Sequence, residues 1–339
     1  MSKLLLGLAS AAVAIGFAGQ AAAATLDVVK QRGELVCGAN GARAGFSLVD
    51  SQGKWEGLDA DTCRAIAAAV LGNPDKVKFL KTTTTTRFPV LVSGEADVLA
   101  SNVTLTLTRD TAQGLDFGPT TFYDAQGFMV PKKLNVKSVK DLDGAAVCVA
   151  PGSTSEKTVA DVFRKNNMKY TAVVIEKQQE LSQAFFSGRC DVNVQTTSGL
   201  ASQRAIFAKD PGDWVILPEI FQKDPMGPVI RHGDNQWRDI VTWVVYALIA
   251  AEEFGITSKN VDEMKKDEDP QVKRLLGVTP GLGKALGLDE AWAYRAIKAV
   301  GNFGEVYDRS FGAGSALKLP RKLNALWTEG GLLYAPPFN

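Results

Sequence analysis

Two stretches of the chain combine hydrogen-bond donors with chain reversals in a way that suits an anion. In the first, Val147 to Phe163 (VCVAPGSTSEKTVADVF), an apolar run ends at Pro151-Gly152 and a helical pattern opens at Ser153 or Thr154. The free backbone N–H groups and positive dipole end of such a helix favour a carboxylate or phosphate. Ser153 and Glu156 also have the spacing of a capping box, so an ordinary helix cap accounts for the segment equally well. In the second, Ala100 to Asp110 (ASNVTLTLTRD), the chain leaves a buried run through polar residues and reaches Arg109. A guanidinium offers a carboxylate two parallel N–H donors. Taken alone, Arg109 is as well explained by a solvated ion pair. Taken together, the two stretches supply facing donors for one small anion.

Other segments carry less chemistry. The hydroxyl run Thr82 to Thr86, which includes Thr84, either lines a pocket or is a strand end leading to a Thr N-cap. His232 has no nucleophile partner in any elbow-type motif. Gly281-Leu282-Gly283 with Gly287 lacks the preceding strand that a nucleotide-binding loop requires, and reads as helix punctuation. Trp237, Trp243 and Tyr246 lie at helical spacing and read as core.

The elements that must position these residues alternate between short β-branched runs and helical patterns, the mark of an α/β fold with largely parallel sheets. Strands are expected at Leu35–Cys37, Val98–Ala100 and Gly127–Val130, and a helix over Leu58–Val70 with Asp59 or Asp61 at its start. A second set begins at Ala146–Val149 and continues through Val173–Ile175, the helix Gln179–Phe186, Val192–Val194 and Trp214–Leu217. Gly227–Ile230 returns the chain. From Trp237 on the pattern is helical, with Trp237, Ile240, Val241, Val244 and Ala247 on one buried face. The reading is an α/β protein in which a second lobe, 129–230, is inserted into a first, 25–128 and 231–339, with a helical carboxyl-terminal extension. Two strand-like connectors near Met129 and Val229 form a hinge, and the cleft between the lobes is the expected ligand site.

Composition agrees with that size of protein. The chain has 339 residues, 45% apolar and 22% charged, enough for a sizeable core and about two domains. The formal charge of +1, with Lys3 the only charge among the first 24 residues, argues against a nucleic-acid groove or a polybasic membrane surface. Lys3, the apolar run Leu4 to Ala18 and the small residues Ala21 to Ala24 form a signal-peptide pattern, so export with cleavage near Ala24 is expected. Export gives the four cysteines meaning. Three pairings exist on paper; Cys37 with Cys63 and Cys148 with Cys190 lie together along the chain, and pairing within each group is expected. No CxxC occurs and there is one histidine, which disfavours zinc.

The stretch Gly57 to Ile66 (GLDADTCRAI) resembles the signature of the family 3 solute-binding proteins of bacterial amino-acid ABC transporters. The likeness extends over nearly the whole mature chain. Val103-Thr104 to Arg109-Asp110, Leu115-Asp116-Phe117, Tyr123 to Val130, Ser187 to Asp191, and Asn324 to Trp327 with Tyr334 to Pro337 are similar to the general L-amino-acid binding subgroup. The resemblance implies a two-lobed, type II periplasmic binding protein fold and a receptor that closes on a polar amino acid and delivers it to a membrane permease and its ATPase. It implies no cofactor, no metal and no catalytic residue, and a monomer is the simplest expectation. Carried over by position, Arg109 clamps the α-carboxylate with the Thr104 amide and the helix start at Ser153-Thr154. The Asn102 carbonyl and Thr104 hydroxyl accept from the ammonium, and Phe46 lies near the ligand side chain.

Some positions depart from the subgroup. Thr196 stands where relatives place an aspartate that binds the ammonium, and a neutral hydroxyl cannot neutralise a buried cation, a mismatch costing several kcal/mol. Ser101 and Leu105 replace an arginine and a tryptophan. The ligand is therefore either an amino acid whose ammonium is met elsewhere or a carboxylate lacking the amine. A cyclohexadienyl-type dehydratase on the same lobed fold would need a cleft acid, which Thr196 argues against. A chemoreceptor ligand module would use the same closure to signal.

Overall fold

The computed structural model describes residues 24–339; the targeting segment before Ala24 lies outside the described residues. Along the chain the strands are β1 Leu35–Ala39, β2 Ala42–Arg43, β3 Ser47–Val49, β4 Trp55–Glu56, β5 Val77–Lys81, β6 Val98–Thr104, β7 Leu115–Phe117, β8 Phe122–Pro131, β9 Ala146–Val149, β10 Thr171–Val174, β11 Val192–Thr196, β12 Trp214–Ile216 and β13 Lys223–Arg231. The helices are α1 Thr25–Arg32, α2 Leu58–Leu71, α3 Arg87–Val92, α4 Leu107–Ala112, α5 Thr154–Lys165, α6 Gln178–Phe186, α7 Thr197–Phe207, α8 Asn235–Glu253, α9 Val261–Met264, α10 Pro270–Leu275, α11 Leu282–Leu286, α12 Trp292–Val300 and α13 Phe303–Ser310.

Ten strands form one sheet: eight follow the path β10-β9-β11-β8-β13-β6-β1-β5, and β12 lies beside β8 and β7 beside β13. β1 pairs in parallel with β5 and β6, and β9 with β10 and β11, as βαβ crossovers require. The two groups meet only through β8 and β13. Phe122 to Ala125 of β8 pair with Met226 to Lys223 of β13, whereas Gln126 to Met129 pair with Thr196 to Asn193 of β11. β13 then continues beside β6 and β7. Two α/β lobes are thus joined by a pair of antiparallel strands, β8 passing from β13 to β11 between Ala125 and Gln126 and β13 from β8 to β6 at Met226–Gly227, just before the Met129 and Val229 expected from the sequence.

Each group carries its own core. All five residues of β1 are buried, and the Ala-rich α2 lets its backbone approach the sheet and α12 closely. Trp237, Ile240, Val241, Val244 and Ala247 of α8 lie on one fully buried face of that core. Phe128, Val147, Val149, Val159, Phe163 and Val192 centre the core of the other lobe. The strand expected at Val173–Ile175 is β10, an exposed edge strand. Cys37 is bonded to Cys63 with Cα atoms 6.3 Å apart, tying β1 to α2, and Cys148 to Cys190 at 5.6 Å, tying β9 to the segment before β11. Behind the hinge, the carboxyl-terminal extension grips β8: Tyr123 N–H donates to Asn324 Oδ1 at 2.7 Å, and Asn324 Nδ2 donates back to the Tyr123 carbonyl at 3.1 Å. Among the described residues no helix is long and apolar enough to cross a membrane.

Candidate functional site

At the end of β6 the chain makes a left-handed step at Asn102 (φ 39°), a conformation that asparagine tolerates better than most residues. The buried Asp59 holds that step by accepting the Asn102 amide at 2.8 Å. Asp59 and Asp61 both lie in the first turn of α2, as expected, with Gly57 at the cap, and Asp61 pairs with Arg64 and Arg309. Two residues beyond Asn102 comes Thr104, and a turn capped by Thr106 begins α4, which presents Arg109. The guanidinium of Arg109 is buried, with Nη1 donating to the Thr104 carbonyl at 2.9 Å and Nη2 to the Gly152 carbonyl of the opposite lobe at 3.4 Å. The ring of Phe88 lies beneath it, 5.3 Å away.

From the other lobe, Pro151-Gly152 turns β9 into α5 as the spacing predicted. Ser153 Oγ accepts the Glu156 amide at 3.1 Å, but Glu156 reaches back to the Gly152 amide at 2.8 Å rather than to that of Ser153. The first-turn amides of α5, intrinsically without helical partners, open toward the cleft. Thr196 caps α7, accepting the Gly199 amide at 3.2 Å, so a second helix start faces the same space. Gln126, on the hinge strand, ties the floor together: its amide nitrogen donates to Thr154 Oγ1 at 3.2 Å and to Asp224, and Ser155 Oγ donates to its oxygen at 2.8 Å.

Between the lobes lies a small cavity walled by Arg43, Thr84, Arg87, Asn102 and Thr104 on one side and Ser153, Thr154, Ser155, Gln195 and Thr196 on the other. Six residues expected from the sequence, Thr84, Asn102, Thr104, Ser153, Thr154 and Thr196, line it; Arg109 is not part of its wall but is hydrogen-bonded to the carbonyl of Thr104, which is. Phe46 does not reach it. Its ring is packed 5.1 Å from Phe122 and 4.8 Å from Phe311, because β8 and the carboxyl-terminal extension each supply an aromatic ring that draws it into the core, and its carbonyl caps α2.

Arg43 and Arg87 are functional candidates that sequence reasoning missed. Arg43 stretches from β2 across the cleft, donating to Gln195 Oε1 at 2.9 Å and to Gln178 Oε1 at 2.7 Å. Arg87 opens α3 directly after the threonine run and donates to the Ser101 carbonyl at 3.2 Å. The one available signal was positional: like Arg109, Arg87 follows a hydroxyl-rich strand exit. The threonines do not cap α3 through Thr86; Thr83 and Thr85 instead donate to Glu176 of the opposite lobe, the first at 2.6 Å, closing the rim.

Burial dominates the electrostatics. It pushes Asp59 up to about 7, offset by the Asn102 amide and by Arg43 and Arg87. It pushes Asp224 up to about 6, opposed by the nearby Thr104 side chain and by Gln126, which donates to the carboxylate, and reinforced by the charge of Asp124. Arg43 is lowered to about 10, and Arg87 falls well below the usual range through burial and repulsion from Arg109 and Arg43. The cavity wall itself holds no carboxylate. Among the described residues no group of three metal-ligating side chains occurs.

Two α/β lobes, crossed by a strand pair and closed over a donor-rich cavity, define a hinged solute receptor of the two-lobed, type II periplasmic-binding kind. The chain belongs to the bacterial extracellular solute-binding proteins, family 3, whose sequence profile matches residues 35–260. It is 51% identical over 338 residues to the general L-amino acid-binding periplasmic protein of Rhizobium johnstonii, covering 99% of each chain. It is 52% identical over 330 residues to the glutamate/glutamine/aspartate/asparagine-binding protein of Rhodobacter capsulatus, covering 97% of each. Among solved structures, a periplasmic binding protein of an ABC transporter from Brucella ovis with glutathione bound is 47% identical, with a TM-score of 0.90 over 94% of this chain and 100% of that one.

Proposed function

We propose that this protein is the periplasmic receptor of an ABC importer and closes its two lobes over an L-amino acid. The observation that carries the reading is Arg109: a buried guanidinium held between the Thr104 carbonyl and the α5 turn of the opposite lobe, with no carboxylate of the described residues in ion-pair contact. A ligand α-carboxylate completes it, with the first-turn amides of α5 as further donors. The ammonium lies against the Asn102 carbonyl and Thr104 hydroxyl. Asp224, whose charged form the Thr104 side chain favours, places a negative charge behind Thr104 where Thr196 offers none. A cavity wall without a carboxylate supports binding rather than acid–base chemistry, so the protein is read as a binder without cofactor.

In this reading the lobes are 25–128 with 231–339 and 129–230, the mature chain begins near Ala24, and the receptor is a monomer that presents both lobes to a membrane permease and its ATPase. Ligand touches both lobes only when they are closed, so it shifts the open–closed balance. The test is thermal-shift screening of the ligand-stripped mature protein against L-amino acids, their des-amino analogues and glutathione. Shifts with amino acids are expected. Shifts confined to des-amino carboxylates would replace the reading with a changed ligand class, to which the neutral Thr196 points. A response to glutathione alone would transfer the relative's ligand to this chain.

A further inference from the structure

We propose that the carboxyl-terminal loop, residues 323–334, is a docking surface for a protein partner that places a lysine or arginine side chain at Trp327 and Tyr334, against Glu253. Among the described residues these two are the only exposed aromatic side chains, Trp327 by 53% and Tyr334 by 55%; every other ring is buried or half-buried. The loop is folded on itself: Trp327 N–H donates to the Leu333 carbonyl at 2.9 Å, and Leu332 N–H to the Leu323 carbonyl at 2.9 Å. Its two rings are held 5.7 Å apart at 71° to each other, the walls of a corner. Two more exposed side chains, Leu323 and Leu332, stand on the same loop. Tryptophan and tyrosine presented on an ordered, partly apolar surface are the residues that anchor protein interfaces.

Charge selects the occupant. The rings border a recess of about 180 Å³ whose wall includes Glu253, Phe254 and Gln271. Glu253 is the last residue of α8, where the helix dipole disfavours a negative charge, and its buried Oε1 has no hydrogen-bond partner. Burial pushes its carboxyl up from the usual range; the Ala335 amide and the Trp327 side chain hold it down, and Glu252 adds a like charge. The arginines of this region are engaged elsewhere: Arg321 pairs with Glu252, and Arg274 donates to the Phe338 carbonyl at 2.8 Å. Lys322 and Glu329, beside and on the loop, cancel. Other rings of the extension already have a cation from this chain, Lys265 at 3.8 Å from the Tyr294 ring and Arg321 at 5.3 Å from that of Tyr307. Trp327 and Tyr334 have none among the described residues, so an incoming cation meets a free ring face and an unpartnered carboxylate together. The recess is below the roughly 300 Å³ of small-molecule sites, which suits one side chain, and the two leucines offer apolar area that a free amine would leave uncovered.

The experiment is a titration of the isotope-labelled mature protein with acetyl-glycyl-lysyl-glycinamide and with the same peptide carrying norleucine for lysine, read at the indole N–H resonance that Trp327→Phe removes. The peptides differ by one charge at nearly constant length, so the ratio of their affinities isolates the cation. A saturable shift with the lysyl peptide is expected, with the norleucyl peptide weaker by about tenfold or more, the range for a hydrogen bond to a charged group. Glu253→Gln is expected to bring the two within about threefold. It should leave amino-acid affinity unchanged, since the recess shares no residue with the cleft. If Trp327→Phe fails to fold, calorimetry of both peptides on wild type and Glu253→Gln carries the test. No saturable binding, equal binding of both peptides, or a ratio unaltered by Glu253→Gln would overturn the proposal and leave the amino-acid reading intact. Sedimentation showing a wild-type dimer that Tyr334→Ser dissociates would also overturn it, by making a second copy of the chain the occupant.

Discussion

Gly199→Ala separates closure from folding. Gly199 lies in the first turn of α7, and a methyl group there would stand 2.8 Å from Thr196 Oγ1 and 3.0 Å from Arg43 Nη1. The first contact is local and acts in any lobe arrangement, disturbing the cap by up to about 1 kcal/mol. Against it stands the helix preference of alanine over glycine, again about 1 kcal/mol. The ligand-free melting temperature should therefore barely move. The second contact exists only when the lobes meet, since Arg43 belongs to the opposite lobe. Displacing its guanidinium costs the hydrogen bond to Gln195, worth about 1.5 to 3 kcal/mol for a charged donor, and affinity should fall by about 10- to 150-fold. Calorimetric titration of the bound amino acid beside a melting curve of the ligand-free protein reads both effects. Unchanged affinity would show that Arg43 gives way freely and has no part in closure; a large drop in ligand-free stability would show that the glycine serves the fold.

Further outcomes follow from other residues. Arg109→Met should cost about 30-fold or more in affinity yet leave the ligand-free protein as stable or more so, because a buried, unpaired cation is removed; thermal melts with and without ligand check both signs. For Asp59 the native pKa is raised from 3.8 to about 7, so its own contribution to the stability of the ligand-free protein is fully present below pH 4 and is lost as pH rises through 7. Asp59→Asn should flatten that slope and gain on the order of a few kcal/mol above pH 7, read by denaturant melts across pH; an unaltered slope would remove Asp59 from the account. Replacing Cys148 and Cys190 together by serine opens a loop of separation 42 and should cost about 4 kcal/mol in the chain-entropy model, against about 3.5 kcal/mol for Cys37 and Cys63 at separation 26. Chemical denaturation of each double variant measures the two losses.

Much of the architecture was legible because it is written in periodicity. The runs at Leu35, Val98, Ala146 and Val192 are strands, the helical spacing from Trp237 to Ala247 is a buried face, and the consecutive cysteine pairs are bonded. The polar half of the cleft was legible as well, since Ser153-Thr154 and the approach to Arg109 sit where strands end, and chain reversal marks them. Arg43 and Arg87 were not, because nothing local distinguishes an arginine in water from one turned inward; the difference is made by Gln178 and Gln195, 135 and 152 residues away from Arg43. Phe46 misled for the converse reason. Its neighbours Phe122 and Phe311 arrive from distant segments and claim it for the core.

The two disulfides join first cysteine to second and third to fourth, and neither crosses from one lobe to the other. A chain that reaches an oxidising compartment amino end first offers Cys37 and Cys63 to the oxidant before Cys148 and Cys190 have arrived. Oxidation in order of arrival therefore yields the native set directly, with no wrong bond to be broken by thiol exchange. The first bridge can form before the second pair of cysteines is present, and neither bridge waits on contact between the two halves of the hinge.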